Sequence, residues 1–247
     1  MQFDLILGAG IAMLATSLGA LGVLAFKHIE KRVYPLLLSF SAGVMIYSAC
    51  EMLLESHSIA GYGTAITGLA SGLFLFFIIE KILPHAHMLM RKKKLNNSKK
   101  RALLLAGTIT LHNIPEGFAI ASAFAGSAQL GWLVTTSIAL QDIPEGFIVS
   151  APLASYGIKT KHSVFWGIFS GVAEFGAAIV GYVFLSTVNA ATPFALAFAS
   201  GAMVYVSIFE IIAENFRLDK DRQLTAATFV AGIMVAYAFA IVLGIAK

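Results

Sequence analysis

Leu111-His112-Asn113-Ile114-Pro115-Glu116-Gly117-Phe118 returns as Leu140-Gln141-Asp142-Ile143-Pro144-Glu145-Gly146-Phe147, at a constant offset of 29 residues. Both copies are embedded in apolar runs, so their acids are expected at membrane depth. An unpaired carboxylate there costs several kcal/mol and marks function unless something neutralises it. No Lys or Arg occurs between Arg101 and Lys159. Glu116, Asp142 and Glu145, with Glu174 in a later apolar run, therefore need protons or a cation. His112 and Asn113 precede Glu116 by four and three positions, which places all three on one helical face, and Gln141, Asp142 and Glu145 repeat that spacing. Two such faces offer one imidazole, three carboxylates and two amide oxygens, a donor set suited to zinc, iron(II), manganese or cadmium. Pro115 and Pro144 cannot donate to the carbonyls of Leu111 and Leu140, and kinked backbone of this kind is tolerated where it is packed in protein or lines a polar cavity. Gly117 and Gly146 are expected to let the two motif helices approach each other closely.

The rest of the chain supplies the membrane setting. It is 58% hydrophobic and 12% charged, with a mean hydropathy of +0.84. Eight apolar runs, at about 4–26, 35–55, 62–83, 102–125, 130–152, 163–186, 194–213 and 224–246, each approach the roughly 20 residues that cross a bilayer. The expected fold is an all-α integral membrane protein, one domain over residues 1–247, with a basic cytoplasmic loop at about 84–101. Placing both termini outside puts every basic residue except Lys247 on the cytoplasmic side, as the positive-inside rule requires. Basic character then reflects topology and anionic lipid, not nucleic acid. The single cysteine, Cys50, excludes an internal disulfide and is expected as a small packing residue. The first run has no basic residue before it and is expected to be a retained helix.

A second repeat surrounds the first. Ser41, Ser48, Glu51 and Glu55 match Ser200, Ser207, Glu210 and Glu214 at an offset of 159. In an eight-helix topology both repeats cross in opposite directions, an inverted, 3+2+3 arrangement used by secondary transporters around a midplane site. Glu51 and Glu55 then lie near the outer mouth and Glu210 and Glu214 near the inner one, as entrance and exit groups or as solvated helix ends. His85 and His87, just inside the cytoplasm, either receive the ion or are ordinary loop histidines. Gly68/Gly72 and Gly167/Gly171 are small-residue pairs suited to helix packing. They do not decide whether the chain forms a homodimer.

The doubled motif resembles the paired signatures of the ZIP (Zrt/Irt-like) metal transporters, above all their bacterial ZupT- and GufA-like members. The resemblance extends over the whole chain. It implies zinc uptake across the inner cell membrane through a two-metal centre, with His112, Glu116, Gln141 and Glu145 holding one ion. Asn113, Glu116, Asp142, Glu145 and Glu174 would hold the other. Many members carry histidine where this chain has Gln141 and asparagine where it has Asp142, which leaves the metal preference open among Zn2+, Cd2+, Fe2+, Mn2+ and Co2+. The metal is substrate, no resident cofactor is expected, and the partners are divalent ions and the lipid bilayer. Two rivals are an intramembrane di-metal hydrolase and a cation-coupled solute transporter. The first would need an open coordination position and a spare base. The second would need broken helices and a basic residue for its substrate.

Overall fold

The computed structural model describes residues 2–26, 33–90, 97–212 and 222–244, and all its regular structure is helical. Seven α-helices follow in order: α1 Gln2–Leu21, α2 Val33–Met90, α3 Asn97–Gly126, α4 Ala128–Ser155, α5 Thr160–Thr187, α6 Thr192–Tyr205 and α7 Arg222–Val242. Short 3-10 turns, Gly22–Leu24 and Asn189–Ala191, follow α1 and precede α6, and α6 runs on into a π-helix, Val206–Ile212.

Local chemistry explains the boundaries. Gly61, at φ 75° and ψ 179°, interrupts α2. That conformation is essentially closed to any residue with a Cβ. The chain reverses there: Ser200 of α6 donates to the Ala49 carbonyl at 2.7 Å, while the next residue, Gly201, abuts the Leu69 carbonyl. A straight helix would hold those carbonyls about 30 Å apart. Helix α2 is thus two antiparallel limbs, 33–60 and 62–90. Ser127 alone separates α3 from α4, and its hydroxyl caps α4 by accepting from the Leu130 amide at 3.1 Å. Gly157, at φ 81°, closes α4, with the Ile158 amide returning to the Leu153 carbonyl at 3.1 Å, the pattern of a glycine-terminated helix.

Five stretches among the described residues are long and apolar enough to cross a membrane: Gln2–Leu24, Val33–Ile79, Thr160–Thr187, Asn189–Phe209 and Arg222–Val242. Of these, Val33–Ile79 contains the Gly61 reversal. Helices α3 and α4 have the length, but the acids, amides and prolines of the repeated motif lower their hydropathy. The stretch 84–101 is not a continuous loop as expected. Residues 84–90 continue α2 and residues 97–101 begin α3; Pro84 removes one backbone hydrogen bond from α2, and His85-Ala86-His87-Met88-Leu89-Met90 after it contains no further helix breaker.

Packing divides the helices into two groups. Helices α1, α3, α4 and α5 pack on one another, α2 packs on α6 and α7, and the groups meet mainly where α4 touches α2 and α3 touches α6. Glycines make the crossings close. Gly43 meets the Phe229 carbonyl and Gly232 the Phe40 carbonyl, joining α2 to α7; Gly72 meets the Phe198 carbonyl and Gly201 that of Leu69, joining α2 to α6. These contacts repeat one another, and they pair Phe40 with Phe198 and Gly43 with Gly201, an offset of 158. The sequence identities Ser48/Ser207, Glu51/Glu210 and Glu55/Glu214 run at 159, and Ser41/Ser200, which also does, falls out of register with the packing around it. The π-helix Val206–Ile212 lies between the two registers, and a π-bulge is the one-residue insertion that reconciles them. Cys50, expected as a small packing residue, is exposed on α2.

Candidate metal centre

Helices α3 and α4 bring their motif copies together inside the first packing group. Glu116, Asp142 and Glu145 are buried and each presents an oxygen within 4.8 Å of the other two. An ion central to a triangle of that size lies no more than about 2.8 Å from each oxygen, so an inward movement of well under 1 Å reaches the roughly 2.0–2.2 Å of a zinc–oxygen bond. Ionised and without a cation, a pair at the 4.8 Å limit repels by about 3.5 kcal/mol at an effective dielectric of about 20.

The other expected ligands surround this triad in different ways. Gln141 is buried and its Nε2 donates to Glu116 Oε1 at 2.8 Å. A carboxylate only accepts, so the amide nitrogen must face it. The Gln141 carbonyl oxygen, both amide atoms of Asn113, both Asp142 oxygens and Glu116 Oε2 are buried and have no hydrogen-bond partner among the described residues. Glu174 of α5 is likewise buried with both oxygens unpartnered. It lies outside the triad but close enough for its charge to act on Glu116 and Asp142. His112 is half-buried one turn before Glu116, and the structure does not bring it into the triad. Buried polar atoms are nearly always bonded. So many unpartnered oxygens in one place fit a cation whose coordination they would complete.

Gly117 and Gly146 hold the motif in place, though not by bringing α3 and α4 onto each other. Gly117 closes on the Glu174 carbonyl of α5, and Gly146 on the Thr16 carbonyl of α1. Gly167 and Gly171 of α5 meet α1 at Ala20 and Met13, as the small-residue pair suggests. Sequence reasoning missed Thr16. It is fully buried, lies beside Asp142 and Glu174, and bonds through its hydroxyl to the Ala12 carbonyl at 3.2 Å.

The expected entrance and exit groups are only partly visible. Glu51 and Glu55 are half-buried on the first limb of α2, with Glu55 packed beside Gly126 at the end of α3. Glu210 lies in the π-helix and His85 and His87 in α2, but their side chains, and all of Glu214, lie outside the described residues.

Comparison with known sequences then decides the family. The profile described as "ZIP Zinc transporter" matches residues 85–246. The chain belongs to the ZIP zinc transporter family. It is 32% identical to the zinc transporter GufA of Myxococcus xanthus, over 96% of this chain and 98% of that one. It is 35% identical to the zinc transporter ZupT of Salmonella heidelberg (strain SL476), over 85% of this chain and 86% of the relative. ZupT of Salmonella newport (strain SL254) is equally similar, at 35% identity. A ZIP chain with several long apolar helices is a multi-pass membrane protein that transports divalent metal ions, and it is not an enzyme.

Proposed function

We propose that this ZIP protein takes up zinc into the cytoplasm across the inner cell membrane, crossing it eight times in a 3+2+3 arrangement with both termini outside. The observation that carries the reading is the buried triad Glu116, Asp142 and Glu145, drawn from two helices with no Lys or Arg between residues 101 and 159 to neutralise it. The relatives' names support zinc as the cargo. Cadmium, iron(II), manganese and cobalt are chemically similar enough to follow it.

Two ions share the centre. His112, Glu116, Gln141 and Glu145 hold the first, and Gln141 must turn its carbonyl oxygen from the present hydrogen-bonded orientation to ligate it. Asn113, Glu116, Asp142, Glu145 and Glu174 hold the second, with Glu116 and Glu145 bridging. An ion entering near Glu51 and Glu55 exchanges water for these oxygens. It leaves past Glu210, Glu214, His85 and His87 when α1, α3, α4 and α5 shift against α2, α6 and α7. Zinc titrated calorimetrically into the purified, metal-stripped chain should bind with a stoichiometry of two, and Glu116→Ala should abolish both events. Unchanged isotherms in Glu116→Ala and Glu145→Ala would refute the site.

A further inference from the structure

Helix α1 carries no acid beyond its first turn, yet Thr16 stands where the site's carboxylates crowd most closely. Its carbonyl lies against Gly146 of α4 and its Cβ against Gly171 of α5. Asp142 is one turn before Gly146, and Glu174 three residues after Gly171. Thr16 is fully buried beside both acids, and their four oxygens have no hydrogen-bond partner among the described residues.

The packing also gives Thr16 a counterpart. Gly117 receives the Glu174 carbonyl and the Ala178 amide, while Gly146 receives the Thr16 carbonyl and the Ala20 amide. Glu116 and Glu145 precede these two glycines, so Thr16 occupies on α1 the place that Glu174 occupies on α5, at an offset of 158. Both side chains are therefore brought to the same centre from opposite sides.

The hydroxyl is free to act there. It bonds to the Ala12 carbonyl at 3.2 Å, at the long end of such back-bonds with that of Ser48 at 3.1 Å, whereas those of Ser17 and Thr136 are 2.7 Å. O–H···O bonds are commonly about 2.7–2.8 Å, so the Thr16 hydroxyl is held loosely by its own helix. We infer that Thr16 is a positioning residue of the second ion site. Rotation about χ1 moves its O–H from Ala12 to a carboxylate oxygen of Asp142 or Glu174, a charge-assisted bond that fixes the acid's other oxygen toward the ion. Groups that orient metal ligands in this way are worth roughly 10- to 100-fold in metal affinity.

The inference rests on the proposed zinc site, and calorimetric titration of the purified full chain with Zn2+ separates the two. Thr16→Val keeps the shape and removes the hydroxyl. It should weaken one of two zinc-binding events by roughly 10- to 100-fold and leave the other unchanged. Thr16→Ser should restore the weakened event, which a purely structural role for the threonine methyl would not predict. In a Glu174→Gln background the effect of Thr16→Val should shrink, since the two act on the same ion. Should Thr16→Val not fold, Thr16→Ala, small and without any ligating atom, takes its place. Wild-type binding in the hydroxyl-free variant, with Glu116→Ala inactive, would overturn the role of Thr16 and leave the zinc site standing. Wild-type binding in Glu116→Ala as well would remove the site on which the inference rests.

Discussion

Replacing Glu116 by glutamine should make the metal-free protein more stable while destroying its response to zinc. Glu116, Asp142 and Glu145 present oxygens within 4.8 Å of one another, giving three like-charge pairs, each about 3.5 kcal/mol at that limit for an effective dielectric of about 20. Neutralising Glu116 leaves one pair, a relief of up to about 7 kcal/mol. The introduced amide oxygen can still accept the Gln141 hydrogen bond now made at 2.8 Å, so the packing survives. Proton uptake and relaxation reduce the relief. Even a third of it would raise the melting temperature by roughly 5–9 °C in a chain of this size. The assay is thermal unfolding in detergent with a chelator. The gain should be larger at high pH than at low pH, because added protons neutralise the acids of the wild type. Saturating zinc, at about 100 times its dissociation constant, should add roughly 2.7 kcal/mol to the wild type and little to Glu116→Gln, narrowing the difference between them. A Glu116→Gln protein that melts at or below the wild type in chelator, and still gains stability from zinc, would refute the reasoning.

Other perturbations follow from the same geometry. Gly146→Ala would drive a methyl into the Thr16 carbonyl, and Gly117→Ala one into that of Glu174. Each should cost about 1–3 kcal/mol of stability, read as a lower melting temperature. Gln141→His replaces an amide with the imidazole common in the family and should raise the zinc-to-manganese affinity ratio by roughly tenfold, measured by competition titration. Zinc must displace protons from the carboxylates that ligate it, so affinity should fall steadily as the pH is lowered. A flat calorimetric pH profile would contradict the ligand set.

The doubled motif made the centre legible because its residues are consecutive: a three- and four-residue spacing fixes a helical face, and Glu116, Asp142 and Glu145 do converge. The partners of Gly117 and Gly146 were not legible. A glycine signals that some helix approaches, and only the fold shows that α5 meets one and α1 the other. Thr16 escaped notice for the same reason. A single threonine in an apolar helix has no periodicity of its own, and its match to Glu174 retains only neighbours such as Ala15/Ala173 and Ala20/Ala178. The π-helix was hidden because one extra residue leaves no mark in a hydropathy pattern. Its trace was the mismatch between the 159 offset of the glutamates and the 158 offset of the packing.

Zinc flux into proteoliposomes tests the central claim most directly, with an indicator trapped inside and wild type, Glu116→Ala and Glu145→Ala compared at equal reconstitution. Saturable uptake by the wild type, lost in both variants, is the predicted result. Undiminished flux in both would show that the metal does not pass through the carboxylates of α3 and α4.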